Sequence, residues 1–110
     1  MSESVFIISE WLAKPGKDQE LWQRAKKLIA SVQKEEGCLR AHVVRQIVHP
    51  AAPGQSKYSI VSFQEYKNLD AFETHCKSDY VAEFFNTYVQ NEDSGIVEDW
   101  TCRLFNSDAE

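Results

Sequence analysis

The sequence predicts an α+β fold of two layers, a sheet with helices packed on one of its faces. Three observations carry this. A β-branched and aromatic run opens the chain at Val5–Leu12, and an apolar stripe of helical period follows over Asp18–Glu36. Further strand-like runs then come in pairs and singly around a second helical region, giving the order β-α-β-β-α-β with an extra helical turn before the last strand. The 110 residues hold one domain, taken as residues 1–110, with an ordered core at about 5–105 and disorder expected only at the ends, Met1–Ser4 and Asn106–Glu110.

The first strand carries apolar groups on both faces: Val5, Ile7 and Trp11 on one, Phe6, Ile8 and Leu12 on the other. Such a strand lies centrally and is covered twice. Lys14-Pro15-Gly16 is a turn, because Pro fixes φ and Gly admits positive φ. In the first helix Leu21, Ala25, Leu28 and Val32 form the buried stripe, widened by Trp22 and Ile29, and Asp18 sits where a helix N-terminus favours a carboxylate. Gly37 is read as its C′ residue. Cys38–Val48 is the second strand, His49–Lys57 a Pro- and Gly-bearing loop, and Tyr58–Tyr66 the third strand. Asn68 is a good N-cap for a helix from Leu69 to about Cys76, and Ser78-Asp79 caps a further short helix to about Val89. After the polar break Asn91–Gly95, the last strand is Ile96–Phe105, with Ile96, Trp100, Cys102 and Leu104 sharing one face.

This order is the ferredoxin-like arrangement, which leaves one sheet face bare in a monomer. An apolar face of that kind marks an interface, and a homodimer packed sheet against sheet is its simplest cover.

Composition excludes several classes. A net charge of −5 with the signs interspersed lacks the basic stripe of a nucleic-acid binder; Arg24, Lys26 and Lys27 read as the wet face of a helix. The three cysteines, Cys38, Cys76 and Cys102, are odd in number and lack metal or disulfide spacing. His42, His49 and His75 have no metal-ligand spacing either. No apolar stretch reaches membrane-spanning length, and the start, MSESVF, is unlike a signal peptide, so a cytoplasmic location is expected with no membrane partner. No phosphate-binding glycine loop is present.

Three segments, Lys14-Pro15-Gly16, Glu35-Glu36-Gly37-Cys38-Leu39 and Ala71-Phe72-Glu73-Thr74-His75 with Ser78 beyond it, resemble the antibiotic biosynthesis monooxygenase (ABM) family, in its quinol-monooxygenase-like branch. The likeness runs from about Val5 to Phe105. It implies a dimeric α–β barrel, a homodimer in which each subunit keeps a cavity between sheet and helices. The family includes cofactor-free oxygenases of phenols, anthrones and quinols, haem-degrading enzymes and an isomerase of a phosphorylated sugar, so fold does not settle chemistry. The haem-degrading branch uses Asn, Trp and His where this chain has Ser9, His75 and Phe85. The quinol branch has a His matching His75, though often a Trp where Tyr66 stands.

His75 is the candidate catalytic base. It follows Phe72 by three residues, on the same helix face, and a neutral imidazole is suited to taking a phenolic proton. The alternative is a histidine that only fills a structural hydrogen bond. Trp11, Tyr66, Phe72, Tyr80, Phe84, Phe85 and Trp100 are candidates to line a cavity for a flat aromatic substrate, against the alternative of plain core packing. Ser9 and Gln64 are polar positions in buried strands and need partners that a ligand could supply; Glu98, sharing a face with Ile96 and Trp100, is similar. Arg40, His42 and Arg45 are assigned to the interface or solvent. A Cys76–His75 nucleophile pair is disfavoured, since adjacent helical residues do not face each other.

The expected function is therefore a cofactor-independent monooxygenase of a small aromatic or quinol-like molecule. The rivals are an isomerase using Arg40, Arg45 or Lys77 on an anionic substrate, and a non-catalytic dimer that holds a small ligand.

Overall fold

The computed structural model describes residues 4–106. Four strands, β1 (Val5–Ala13), β2 (Cys38–Arg45), β3 (Ile60–Tyr66) and β4 (Val97–Asn106), form one antiparallel sheet in the order β2-β3-β1-β4. This is the ferredoxin-like topology, with the doubly apolar β1 central as its sequence requires. The helices α1 (Asp18–Val32), α2 (Leu69–Cys76) and α3 (Asp79–Phe84) follow in chain order, and α3 runs directly into a π-helical turn, Phe85–Val89. Of the two end segments expected to be disordered, Ser4 and Asn106 are described, and Asn106 pairs with Val5 at the end of β4. The other end residues lie outside the described range.

The local chemistry accounts for the joints. Lys17 N–H donates to the Lys14 carbonyl at 2.9 Å, with Pro15 and Gly16 (φ 78°) between them, a type II turn in which only the glycine position needs positive φ. Asn68 caps α2, its side chain accepting from Ala71 N–H at 2.9 Å. Leu21, Ala25, Ile29 and Val32 are the buried residues of α1.

Several boundaries differ from expectation. α1 stops at Val32, and the chain to Cys38 descends in tight turns, Glu35 N–H donating to Val32 and Cys38 N–H to Glu35. Gly37 is not a positive-φ C′ residue. Its lack of a side chain serves packing, since a Cβ there would overlap the Cβ of Ala71 on α2. Ser78 does not cap α3 with its hydroxyl, which donates instead to the His75 carbonyl at 2.6 Å. β2 and β3 are shorter than their apolar runs, so Ile47, Val48 and Tyr58 fall in the connection.

Cross-strand register divides the sheet. One face, Ile7, Ser9, Trp11, Ala41, Val43, Ile60, Ser62, Gln64, Tyr66, Trp100 and Cys102, lies under the helices. The other carries Phe6, Ile8, Val44, Val61, Phe63 and Phe105, of which Phe6, Phe63 and Phe105 remain 36–43% exposed. Arg40 pairs with Glu65 on this open face at 2.9 Å, with His42 beside them. No helix among the described residues is long and apolar enough to cross a membrane.

Candidate active site

A cavity of about 410 Å³ lies between the sheet and the helices. Its cause is visible in the register. Ser9 pairs with Ser62 on one side and Cys102 on the other, so a row of small side chains crosses the middle of the helix-facing surface. The flanking rows carry Gln64 and Ile7 on one side, and Ile60, Trp11 and Trp100 on the other. Large groups thus wall the hollow at both ends, and small ones leave it open. Its size falls in the range of small-ligand sites, roughly 300–1,000 Å³.

One end is aromatic. Trp11 and Trp100 stack at 5.6 Å and 17°, Phe84 meets Trp11 edge-on at 5.7 Å, and Phe85 meets Trp100 at 4.9 Å. The π-helical turn helps form this end. Its wider turn, with Gln90 N–H donating to the Phe85 carbonyl at 2.9 Å, brings Phe85, Asn86 and Gln90 all to the cavity. Such turns cluster at functional sites.

The other end is held by α2. Phe72 and His75 both reach the cavity, their rings 6.1 Å apart and inclined by 25°. His75 Nδ1 lies 2.8 Å from Glu35 Oε2, and the other carboxylate oxygen accepts the Tyr66 hydroxyl at 2.8 Å. The His75 and Glu35 side chains are only 10% and 18% exposed, so this pair is shielded from bulk water. The pair belongs to a second, polar hollow lined by Glu35, Lys67, Asp70 and Thr74, and among the described residues His75 alone is common to the linings of the two hollows. Tyr66 is fully buried. Burial first, then its bond to the Glu35 carboxylate, pushes its phenol far above the usual tyrosine range, so it is a fixed hydrogen-bond donor.

Of the residues singled out from sequence, His75, Ser9, Trp11, Gln64, Phe72, Phe84, Phe85 and Trp100 line the cavity. Tyr66 and Tyr80 do not. Tyr66 sits in the core beneath the Glu35–His75 pair, and Tyr80 packs against the neighbouring core, its buried hydroxyl without a hydrogen-bond partner among the described residues. Gln64 is 8% exposed, and its Oε1 has no hydrogen-bond partner among the described residues. Glu98 is exposed and stands outside the cross-strand pairing, at a β-bulge opposite Leu12 and Ala13. Sequence reasoning missed Glu35, Ser62, Asn86 and Gln90. Glu35 lay within a segment of the family resemblance, but nothing local tied it to a histidine forty residues on.

Charge in the cavity is sparse. None of Arg40, Arg45 and Lys77 lines it. Arg45 instead lies over the Trp22 ring at 4.4 Å on the outside of α1. Cys76 and Cys102 both reach the cavity as free thiols. Burial and then the neighbouring Cys102 push the Cys76 thiol up, away from the thiolate that a nucleophile requires. Among the described residues no group of three or more His, Cys, Asp or Glu side chains is placed to hold a metal ion.

Comparison with known proteins fits this architecture. The family model described as antibiotic biosynthesis monooxygenase matches residues 4–87. No curated protein matches the sequence significantly. Among solved structures, PA3566 from Pseudomonas aeruginosa superposes with a TM-score of 0.77 at 16% identity, covering 99% of this chain and 98% of that one. SO0527 from Shewanella oneidensis gives 0.72 at 21% identity, covering 96% and 92%. A Deinococcus radiodurans protein provisionally assigned as an antibiotic biosynthesis monooxygenase gives 0.74 at 15% identity, covering 97% and 94%. At these identities the structures speak to fold alone; the family model, matching most of the chain, speaks to descent, and the protein belongs to the antibiotic biosynthesis monooxygenase family.

Proposed function

We propose that the protein is a cofactor-independent monooxygenase that oxidises a small hydroxylated aromatic, quinol-like molecule with dioxygen. The observation that carries this reading is His75. It forms part of the wall of a mainly apolar cavity whose other polar side chains, Ser9, Ser62, Gln64, Asn86 and Gln90, are uncharged, with one ring nitrogen engaged by Glu35. Nε2, on the opposite side of the ring, is then the nitrogen left to take a proton from a substrate hydroxyl. A flat ring would lie between the Trp11–Trp100 end and the Phe72–His75 end of the cavity of about 410 Å³, with the Gln64 amide as a polar anchor for a second hydroxyl. Among the described residues no lysine or arginine lines the cavity, which argues against a phosphorylated substrate.

The chemistry balances without an added redox group. His75 Nε2 takes the hydroxyl proton, and the resulting phenolate gives one electron to dioxygen. The radical pair combines to form a carbon–oxygen bond. The O–O bond then breaks as water leaves: His75 returns its proton to the outer oxygen, and the carbon, which must carry a hydrogen, gives that hydrogen up as the second proton, its C–H electron pair forming the carbonyl. One oxygen atom enters the product, the other leaves as water, and the substrate supplies every electron. The apolar walls destabilise charge held without a partner, which favours proton transfer to a histidine already facing a carboxylate.

The reading includes a homodimer. The open sheet face holds Phe6, Phe63 and Phe105 around a further apolar hollow, and a second sheet would cover them.

The test is oxygen uptake with a panel of hydroquinones and anthrone-like phenols, wild type beside His75→Ala, with autoxidation subtracted. Uptake that falls about 100-fold or more in the variant, the range for losing a general base, supports the reading. Equal uptake by both proteins removes His75 from the chemistry.

A further inference from the structure

We infer that Glu35 is the positioning residue of this site, that it fixes His75 in the tautomer bearing hydrogen on Nδ1, and that the Tyr66 hydroxyl fixes Glu35 in turn. The inference rests on the reading of His75 as the base, but its central test does not need activity.

A histidine can act as a base toward the cavity only if Nε2 keeps its lone pair. The neutral ring has one hydrogen, so that hydrogen must sit on Nδ1. A carboxylate only accepts hydrogen bonds. Glu35 Oε2 at 2.8 Å from Nδ1 therefore selects the required tautomer and holds the ring plane. It also stabilises the imidazolium that forms when Nε2 takes a proton. Glu35 is placed for this by the tight turns after α1 and by its second oxygen, which accepts the buried Tyr66 hydroxyl. Tyr66 thus acts from beneath, without touching the cavity.

This arrangement makes an unusual prediction for Glu35→Gln, a change that preserves shape. The new amide has one oxygen and one NH₂ to share between Tyr66 and His75. If the NH₂ faced Tyr66, the tyrosine O–H would be left as a buried donor with no acceptor, an arrangement disfavoured roughly tenfold or more. The oxygen therefore stays with Tyr66, and the NH₂ turns to His75. Nδ1 must then accept, the hydrogen moves to Nε2, and the base facing the cavity is lost. Removing the tyrosine hydroxyl as well frees the amide to turn round. Its oxygen can then meet Nδ1–H, and the original tautomer returns. A second mutation thus repairs the first.

The experiment uses ¹⁵N-labelled protein, reading the His75 tautomer from two-bond ¹⁵N–¹H correlations above the pH at which the ring is protonated. Four proteins are compared: wild type, Tyr66→Phe, Glu35→Gln and Glu35→Gln/Tyr66→Phe, with amide spectra confirming that each is folded. The expected result is hydrogen on Nδ1 in wild type and Tyr66→Phe, on Nε2 in Glu35→Gln, and a return toward Nδ1 in the double variant. In turnover, Glu35→Gln should lose about 100-fold or more, as for a lost general base, and the double variant should recover at least about tenfold of it. Hydrogen on Nε2 in the wild type, or no change of tautomer in Glu35→Gln, overturns the inference. Tautomers that follow the prediction in proteins without oxygenase activity uphold the positioning role and refute the functional reading instead.

Discussion

Gly37→Ala tests how closely the position of α2 controls the site. The glycine has no need of positive φ, so an alanine there gains about 0.4–1 kcal/mol through the unfolded chain. Against this, the new Cβ would overlap the Ala71 Cβ, while its next neighbours, Ala71 Cα at 3.5 Å and Lys67 Cε at 3.7 Å, stand at ordinary contact. Carbon atoms pack at 3.5–4.0 Å, so α2 must withdraw by about 1 Å. Such overpacking costs about 1–3 kcal/mol, more than the gain. The net loss of up to about 2.6 kcal/mol lowers Tm by up to roughly 11 °C in a chain of this size. Because His75 lies one helical turn beyond Ala71, the same movement stretches its bond to Glu35, and a 1 Å misplacement can cost about 100-fold in rate. The control is Ala71→Gly, which removes the one obstructing atom. In that background Gly37→Ala should stabilise, reversing its sign. Thermal melts of the four proteins at one concentration measure this directly. If Gly37→Ala lowered Tm equally in both backgrounds, the packing argument would be refuted.

Other consequences are open to measurement. Tyr66 keeps its proton in the folded state while an unfolded tyrosine ionises near pH 10, so the native state binds more protons and stability must fall as pH rises past 10, by up to roughly 1.4 kcal/mol per unit. Denaturant titrations at pH 9 to 11 should show that slope reduced in Tyr66→Phe, and equal slopes would contradict the burial of the phenol. Gln64→Leu removes a buried amide whose oxygen lacks a partner among the described residues, so it should leave Tm unchanged or higher while raising KM for dihydroxylated aromatics roughly tenfold. A clear fall in Tm would mean that the amide is satisfied within the protein. Phe63→Glu places a charge in the open apolar face and should turn a two-chain species in sedimentation into one chain; a wild type already monomeric at micromolar concentration would refute the dimer.

Much of this fold could be read from local patterns, because those patterns are physical requirements. The central place of β1 followed from apolar groups on both faces, and the turn at Lys14–Lys17 from Pro and Gly in the order a type II turn demands. The α1 stripe followed from its period, and the α2 start from Asn68. What could not be read was set by tertiary register. Ser9 and Ser62 make a cavity only because they are cross-strand partners, a relation fifty-three residues apart in the chain. Glu35 meets His75 only because Gly37 lets α2 come close. Gly37 itself looked like a helix terminator, and its actual role as a close-approach glycine depends on a helix that begins far downstream. Ser78 had the chemistry of an N-cap, but its hydroxyl found the His75 carbonyl first. Tyr66 and Tyr80 had the composition of a ligand site, yet their strand and helix positions turned them into the neighbouring core.

The most direct test of the functional account is a turnover in ¹⁸O₂ with purified protein stripped of flavin and metal, using whichever hydroquinone or anthrone supports oxygen uptake. The account predicts one ¹⁸O atom in each product molecule, the other in water, and no hydrogen peroxide. Label found only in hydrogen peroxide, or turnover that appears only when flavin or metal is restored, would contradict it.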